Sequence, residues 1–175
     1  MKMDSLSKLA LKISSLTLAI AATSACTAMA TGADSQVSNT QTTTNSTAIT
    51  LGNSAMSSGT NDTVAIGNMA NAGLNSATAV GGQANAAGLG STSIGWQSKA
   101  TAERAQAFGH LANASGVRST AVGEAAIAGG TNDTVAVGNK ANAGLNSATA
   151  VGGEANAAGL GSTSIGWQSK ATAER

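Results

Sequence analysis

A large apolar residue followed by glycine returns along this chain at almost fixed spacing. The pairs are Leu51-Gly52, Ile66-Gly67, Val80-Gly81, Ile94-Gly95, Phe108-Gly109, Val122-Gly123, Val137-Gly138, Val151-Gly152 and Ile165-Gly166. Successive glycines are 15, 14, 14, 14, 14, 15, 14 and 14 residues apart. A short fixed period marks one supersecondary unit stacked on copies of itself, which constrains the fold more than local propensity does.

A second, longer period lies over the first. Residues 59–104 return as 130–175, 71 positions later, with only Ile66/Val137, Met69/Lys140 and Gln83/Glu154 differing. A stretch of about three short repeats therefore returns as a block five repeats later. In a linear repeat fold such a duplication changes the length of the tower without disturbing its neighbours.

Alanine favours helix, but a glycine every period, further glycines such as Gly73, Gly88 and Gly116 half a period away, and abundant Asn and Thr would fragment any helix. The intervening segments run in steps of two. Val64 and Ile66 share one side of a strand while Thr63 and Ala65 share the other; Ala70 and Ala72 form a second short alternating pair. Each period thus predicts two strands and two turns, one rung of an all-β parallel roll. A chain without proline suits such an unbroken ladder of hydrogen bonds. The residue before each glycine forms a ladder of large side chains, and the alanines form a ladder of small ones that lets the two strands lie close. Burying nine large side chains cannot offset the entropy of ordering residues 46–175. Several chains are therefore expected to pack side by side.

The first thirty residues stand apart. Lys2, Lys8 and Lys12 precede an apolar run from Ile13 to Ala22, and Ala28-Met29-Ala30 offers an A-x-A cleavage site. Residues 1–30 are read as a signal peptide, the run being too short to span a membrane. Residues 31–45, rich in Thr, Ser, Asn and Gln, are read as a flexible leader. The mature chain would carry six basic against seven acidic residues, with no basic patch, so no nucleic-acid partner is expected. Cys26, the only cysteine, falls inside the signal. A lipidated Cys26 is the alternative reading, against which stands the lack of a leucine-like residue three places before it.

Residues Thr63-Val64-Ala65-Ile66-Gly67-Asn68-Met69-Ala70-Asn71-Ala72, and their counterparts at 77–86 and 91–100, resemble the head repeats of trimeric autotransporter adhesins, the YadA-like group. The resemblance covers about residues 46–175. It implies a left-handed parallel β-roll, three chains around a common axis as a homotrimer, and attachment of a Gram-negative bacterium to host extracellular matrix or other surfaces. Members of that group usually continue into a coiled-coil stalk and a membrane-anchoring barrel. Neither pattern is present here, so a head fragment or truncated product is expected, exported to the cell surface or, without an anchor, to the medium.

Chemistry of other kinds finds little support. His110 is the only histidine, in a turn, with no second histidine or cysteine to share a metal. Asp62 and Asp133 occur in Gly-Thr-Asn-Asp-Thr within the two 15-residue periods and read as turn insertions rather than calcium ligands. Gly81-Gly82 and Gly88-Leu89-Gly90 lack the Lys-Ser/Thr of a phosphate loop. No cofactor and no catalytic activity are expected. Trp96 and Trp167, each followed by Gln-Ser-Lys ending at Lys99 and Lys170, are either exposed contact anchors or groups that pack against the roll or a neighbouring subunit. A secreted structural or ice-binding solenoid is the alternative function. Its regular threonine row is broken, because the position three before the glycine is Thr at 78, 92, 120, 149 and 163 but Ile49, Val64, Gln106 and Val135 elsewhere.

Overall fold

The computed structural model describes residues 37–38 and 47–172. The signal peptide read for residues 1–30, with Ala28 and Ala30, lies outside the described residues, as does most of the leader. Within the leader, Val37–Ser38 pairs antiparallel with Thr50 and Leu51.

From Ala48 onward the described chain is all strand and turn, and every rung adds one strand to each of two parallel sheets. The wider sheet takes Ala48–Leu51, Thr63–Ile66, Thr78–Val80, Thr92–Ile94, Gln106–Phe108, Thr120–Val122, Val135–Val137, Thr149–Val151 and Thr163–Ile165 in spatial order. The narrower sheet takes two residues per rung, from Met56–Ser57 and Asn71–Ala72 to Asn156–Ala157 and Lys170–Ala171. Pairing is in register by period, so Ile66 lies beside Val80, Val80 beside Ile94 and Ile94 beside Phe108. The predicted roll of two-strand rungs is the observed architecture.

The large apolar ladder, however, lies outside the roll rather than within it. Along Thr63–Ile66, Thr63 and Ala65 are buried while Val64 and Ile66 are half-buried. The interior holds four columns of small side chains. Two come from the wide sheet and the corner before it (Ala65, Ala79, Ala121; Ala77, Ala105, Ala148), and two from the narrow sheet and the corner before that (Ala72, Ala86, Ala114; Ala70, Ala84, Ala112). All are fully buried. A rung only two strands thick brings its sheets close together, so the interior takes alanine and serine, with the branched Thr63 and Thr134 only in the 15-residue rungs, and strand alternation turns the larger apolar residue outward.

The interior departs from alanine at Thr63 and Thr134, at Ser119, and through a whole serine rung in each long block. Ser91, Ser93 and Ser98 are buried there and separate an alanine run ending at Ala86 from one beginning at Ala100. Their hydroxyls are satisfied locally. Ser91 Oγ donates to the Gly88 carbonyl at 2.7 Å, Ser93 and Ser98 hydroxyls lie 2.7 Å apart, and Ser98 Oγ donates to the Gly95 carbonyl at 3.0 Å. Buried hydroxyls so paired avoid the desolvation cost of orphaned ones. Ser164 and Ser169 repeat the pair at 2.7 Å.

Corners explain the glycine. After Ile66 the chain turns through Gly67, Asn68 and Met69, and Ala70 N donates back to the Gly67 carbonyl at 3.2 Å. Gly67 has φ 130°, and a Cβ there would sit 2.5 Å from the carbonyl oxygen of Gly81 on the next rung. Backbone conformation and the close approach of the neighbouring rung each demand glycine at this position. The third turn residue is also left-handed, with φ 56° at Met69, 58° at Gln83 and 55° at Lys140, although none of these is glycine. The opposite corner repeats the device at Ser76, φ 57°, and Arg118, φ 55°.

The two 15-residue rungs take their extra residue into that opposite corner. Asp62 and Asp133, φ 49° and 52°, hold the left-handed place that Ser76 and Ser147 hold in the 14-residue rungs. The ladder crosses the insertion intact, with Asp133 N donating to the Val117 carbonyl at 3.0 Å and Ser147 N to the Asn132 carbonyl at 3.0 Å.

Candidate interaction surface

Burying only alanine, serine and threonine leaves the surface to carry every large side chain. Three of its strips hold the residues singled out in the sequence.

The first strip is the outer face of the wide sheet. Leu51, Ile66, Val80, Phe108, Val122, Val137 and Val151 stand one above another, half-buried, with Ile94 and Ile165 more exposed. Beside them runs the column Ile49, Val64, Thr78, Thr92, Gln106, Thr120, Val135, Thr149 and Thr163, on the same face. Its threonines do not form an unbroken row. The paired glycines, from Gly52, Gly67, Gly81, Gly95 and Gly109 to Gly123, Gly138, Gly152 and Gly166, close each rung at the edge of this face, all with positive φ. The strip is a continuous apolar stripe on a single chain, the kind of surface that marks a contact with another macromolecule.

The second strip is the corner that follows the glycine. Trp96 and Trp167 occupy equivalent places there, 49% and 75% exposed. Each is seated on a socket made by a second glycine one rung earlier. A Cβ added at Gly82 would lie 3.1 Å from Trp96 Cδ1, and one at Gly153 would lie 3.2 Å from Trp167 Cδ1. Trp96 also meets His110 on the following rung, with ring centroids 5.0 Å apart and planes inclined by 33°. Each ring packs on its own roll with one part while leaving the rest exposed. The sockets were missed in the sequence, yet Gly82 and Gly153 stand one period before Trp96 and Trp167. In the same corner His110 Nδ1 lies 3.6 Å from Glu124 Oε1, and Gln97 Nε2 donates to Gln83 Oε1 at 2.9 Å.

The third strip is the outer face of the narrow sheet. One outward residue per rung builds the column Asn71, Asn85, Lys99, Asn113, Ile127, Asn142, Asn156 and Lys170. Asn71 Nδ2 donates to Asn85 Oδ1 at 3.1 Å. Lys99 and Lys170 are exposed, and the ion pairs among the described residues, Glu103 with Arg104, Glu124 with His110 and Asp133 with Arg118, use neither. At the remaining corner, Arg118 holds Asp133 through Nε at 2.7 Å and Nη2 at 2.9 Å. This pairing depresses the Asp133 carboxyl below the usual range and raises Arg118. The equivalent Asp62 instead accepts from Thr47 Oγ1.

Among the described residues no group of three or more His, Cys, Asp or Glu gathers as a metal site, and no helix is long and apolar enough to cross a membrane. The surface offers stripes and columns, which can bind along their length.

Small-cored parallel rungs of about 14 residues, closed by glycine and bearing an apolar ladder on the outside, define a parallel β-solenoid. The YadA head domain repeat matches the chain at residues 75–98, 86–112, 100–126, 114–141, 146–169 and 157–175, more than half of its length. The chain belongs to that family of adhesin heads. No curated protein matches it.

Proposed function

We propose that residues 46–175 form the head of an exported surface adhesin that acts as a homotrimer and binds rather than catalyses. The observation that carries this reading is the apolar ladder from Leu51 to Ile165, which a lone roll leaves on its outer face. Three rolls placed ladder to ladder remove that stripe from water and supply the large-residue core that each lacks. The gain scales with the apolar area covered, about 25 cal/mol per Å². A trimer also multiplies every surface feature by three along its height. Attachment to host extracellular matrix or another surface then proceeds through many equivalent weak contacts whose avidity exceeds any one of them.

Export follows from the signal peptide read at residues 1–30, with cleavage after Ala30, and places the head at the surface of a Gram-negative cell or outside it. The N-terminal mass of the mature protein checks the cleavage. Light scattering of the purified full chain, beside the variant Ile94→Asp, tests the assembly. A trimer for the natural chain and a smaller or aggregated species for Ile94→Asp are expected. A stable monomer that retains its β circular dichroism at high concentration would sink the reading.

A further inference from the structure

Trp96 and Trp167 sit on one column and are separated by five rungs, from Thr92–Ile94 through to Thr163–Ile165. At the spacing of paired strands this is roughly 24 Å. Around each tryptophan a similar set of groups is assembled, although Trp96 alone has a histidine ring, His110, against it and Glu154 stands where Gln83 does. The ring rests on a glycine socket and remains exposed, a glutamine in the next position is clamped to the previous rung (Gln97 to Gln83 at 2.9 Å, Gln168 Nε2 to Glu154 Oε2 at 3.0 Å), and a lysine outside the described ion pairs stands three residues on, at Lys99 and Lys170. Asn85 and Asn156 stand directly beside those lysines in the narrow-sheet column.

We propose that these are two copies of one binding subsite, and that the ligand is an acidic polysaccharide, a chain of uronic-acid-containing sugars laid along the tower. The inference rests on the adhesin reading and gives it a ligand class. An exposed indole face matches the C–H face of a pyranose ring, an ammonium matches its carboxylate, and side-chain amides match its hydroxyls. A neutral glycan would leave two lysines unused, and an acidic peptide would leave two indoles unused. The repetition points to a polymer, because a ligand long enough to reach both subsites gains from the second contact without any new chemistry. The glycine socket has its own part in this. By holding part of the indole against the backbone, it fixes the ring before the ligand arrives and lowers the ordering cost of binding.

The test uses the full chain with three immobilised uronate polymers, alginate, polygalacturonate and hyaluronan, and two controls, neutral dextran and poly-glutamate. Binding to at least one uronate polymer and not to dextran is expected. Trp167→Ala should weaken it by about a hundredfold, the low end of what a second linked site contributes, and Lys99→Gln should weaken it and reduce its salt sensitivity. Circular dichroism should be unchanged in both. No binding to any of the three uronates, binding unchanged in the Trp96→Ala, Trp167→Ala double variant, or poly-glutamate bound as well as the best uronate would each overturn the proposal. A trimer that adheres to surfaces yet ignores all three uronates would overturn this inference alone and leave the adhesin reading standing.

Discussion

Arg118 and Asp133 face each other across one rung boundary, with the guanidinium fork donating to both carboxylate oxygens at 2.7 and 2.9 Å. They join the rungs between the long blocks to the start of the second block, where the first block has only Thr47 against Asp62. The pair is solvent-exposed, so its contribution is modest and screened by salt. Its pH dependence is still defined. The folded Asp133 carboxyl is depressed, so stabilisation is present above the unfolded carboxylate value and is lost as pH falls through the lower folded value. Asp133→Asn should therefore lower the melting temperature slightly at neutral pH, and the difference should vanish at acid pH, below the depressed folded value of Asp133. Thermal melts of both proteins at the two pH values check this.

The interior admits almost nothing larger than alanine, whereas the outer ladder one residue away has room on the single chain. Ala121→Val should destabilise the roll by about 1–3 kcal/mol through overpacking, because Ala121 is fully buried. Val122→Asp should leave the β circular dichroism of the roll but reduce its assembled mass. Denaturant titration of the first and light scattering of the second separate the two faces.

Glycines at the two corners are not equal. Gly109→Ala would press a Cβ to 2.6 Å from the Gly123 carbonyl oxygen at φ 132°, while Gly161→Ala, at φ 62°, meets no atom within 4 Å. The second variant should cost only the left-handed penalty of about 1–2 kcal/mol. The first should cost clearly more and broaden the unfolding transition, as followed by urea melts.

Left-handed turn residues that are not glycine offer the opposite experiment. Ala125 has φ 54°, and its methyl makes no hydrogen bond to lose. Ala125→Gly should relieve roughly 1 kcal/mol of strain, less the extra entropy glycine has when unfolded. A net rise in melting temperature is expected, and an equal gain at Lys140→Gly would extend it to the whole column.

The period made the rung legible in the sequence. Spacing of the apolar-glycine pairs fixed the number of residues per coil, and alternation in Thr63–Ile66 fixed which residues share a face. Which face turns inward was not legible, because alternation is symmetric and the habit of placing Ile and Val inside favours the wrong side. The deciding fact is the narrow gap between the sheets, a tertiary quantity that no single strand encodes. The tryptophans were ambiguous for a related reason. Their seating depends on Gly82 and Gly153, neighbours only after the chain has coiled once. The Arg118–Asp133 fork was equally hidden, since its partners lie 15 residues apart and align only because the longer rung hides its extra residue in a corner.

That longer rung has a consequence for the gene. Seventy-one residues, the offset between the two copies, comprise one coil of 15 and four of 14, a whole number of coils, so the second copy begins at the same point of the circumference as the first. Removing residues 59–129 by recombination between the two near-identical stretches would join Ser58 to Gly130. Every later residue would stay in phase on the column it already occupies. The tower can change height by whole blocks across generations while the direction of each side chain is inherited unchanged.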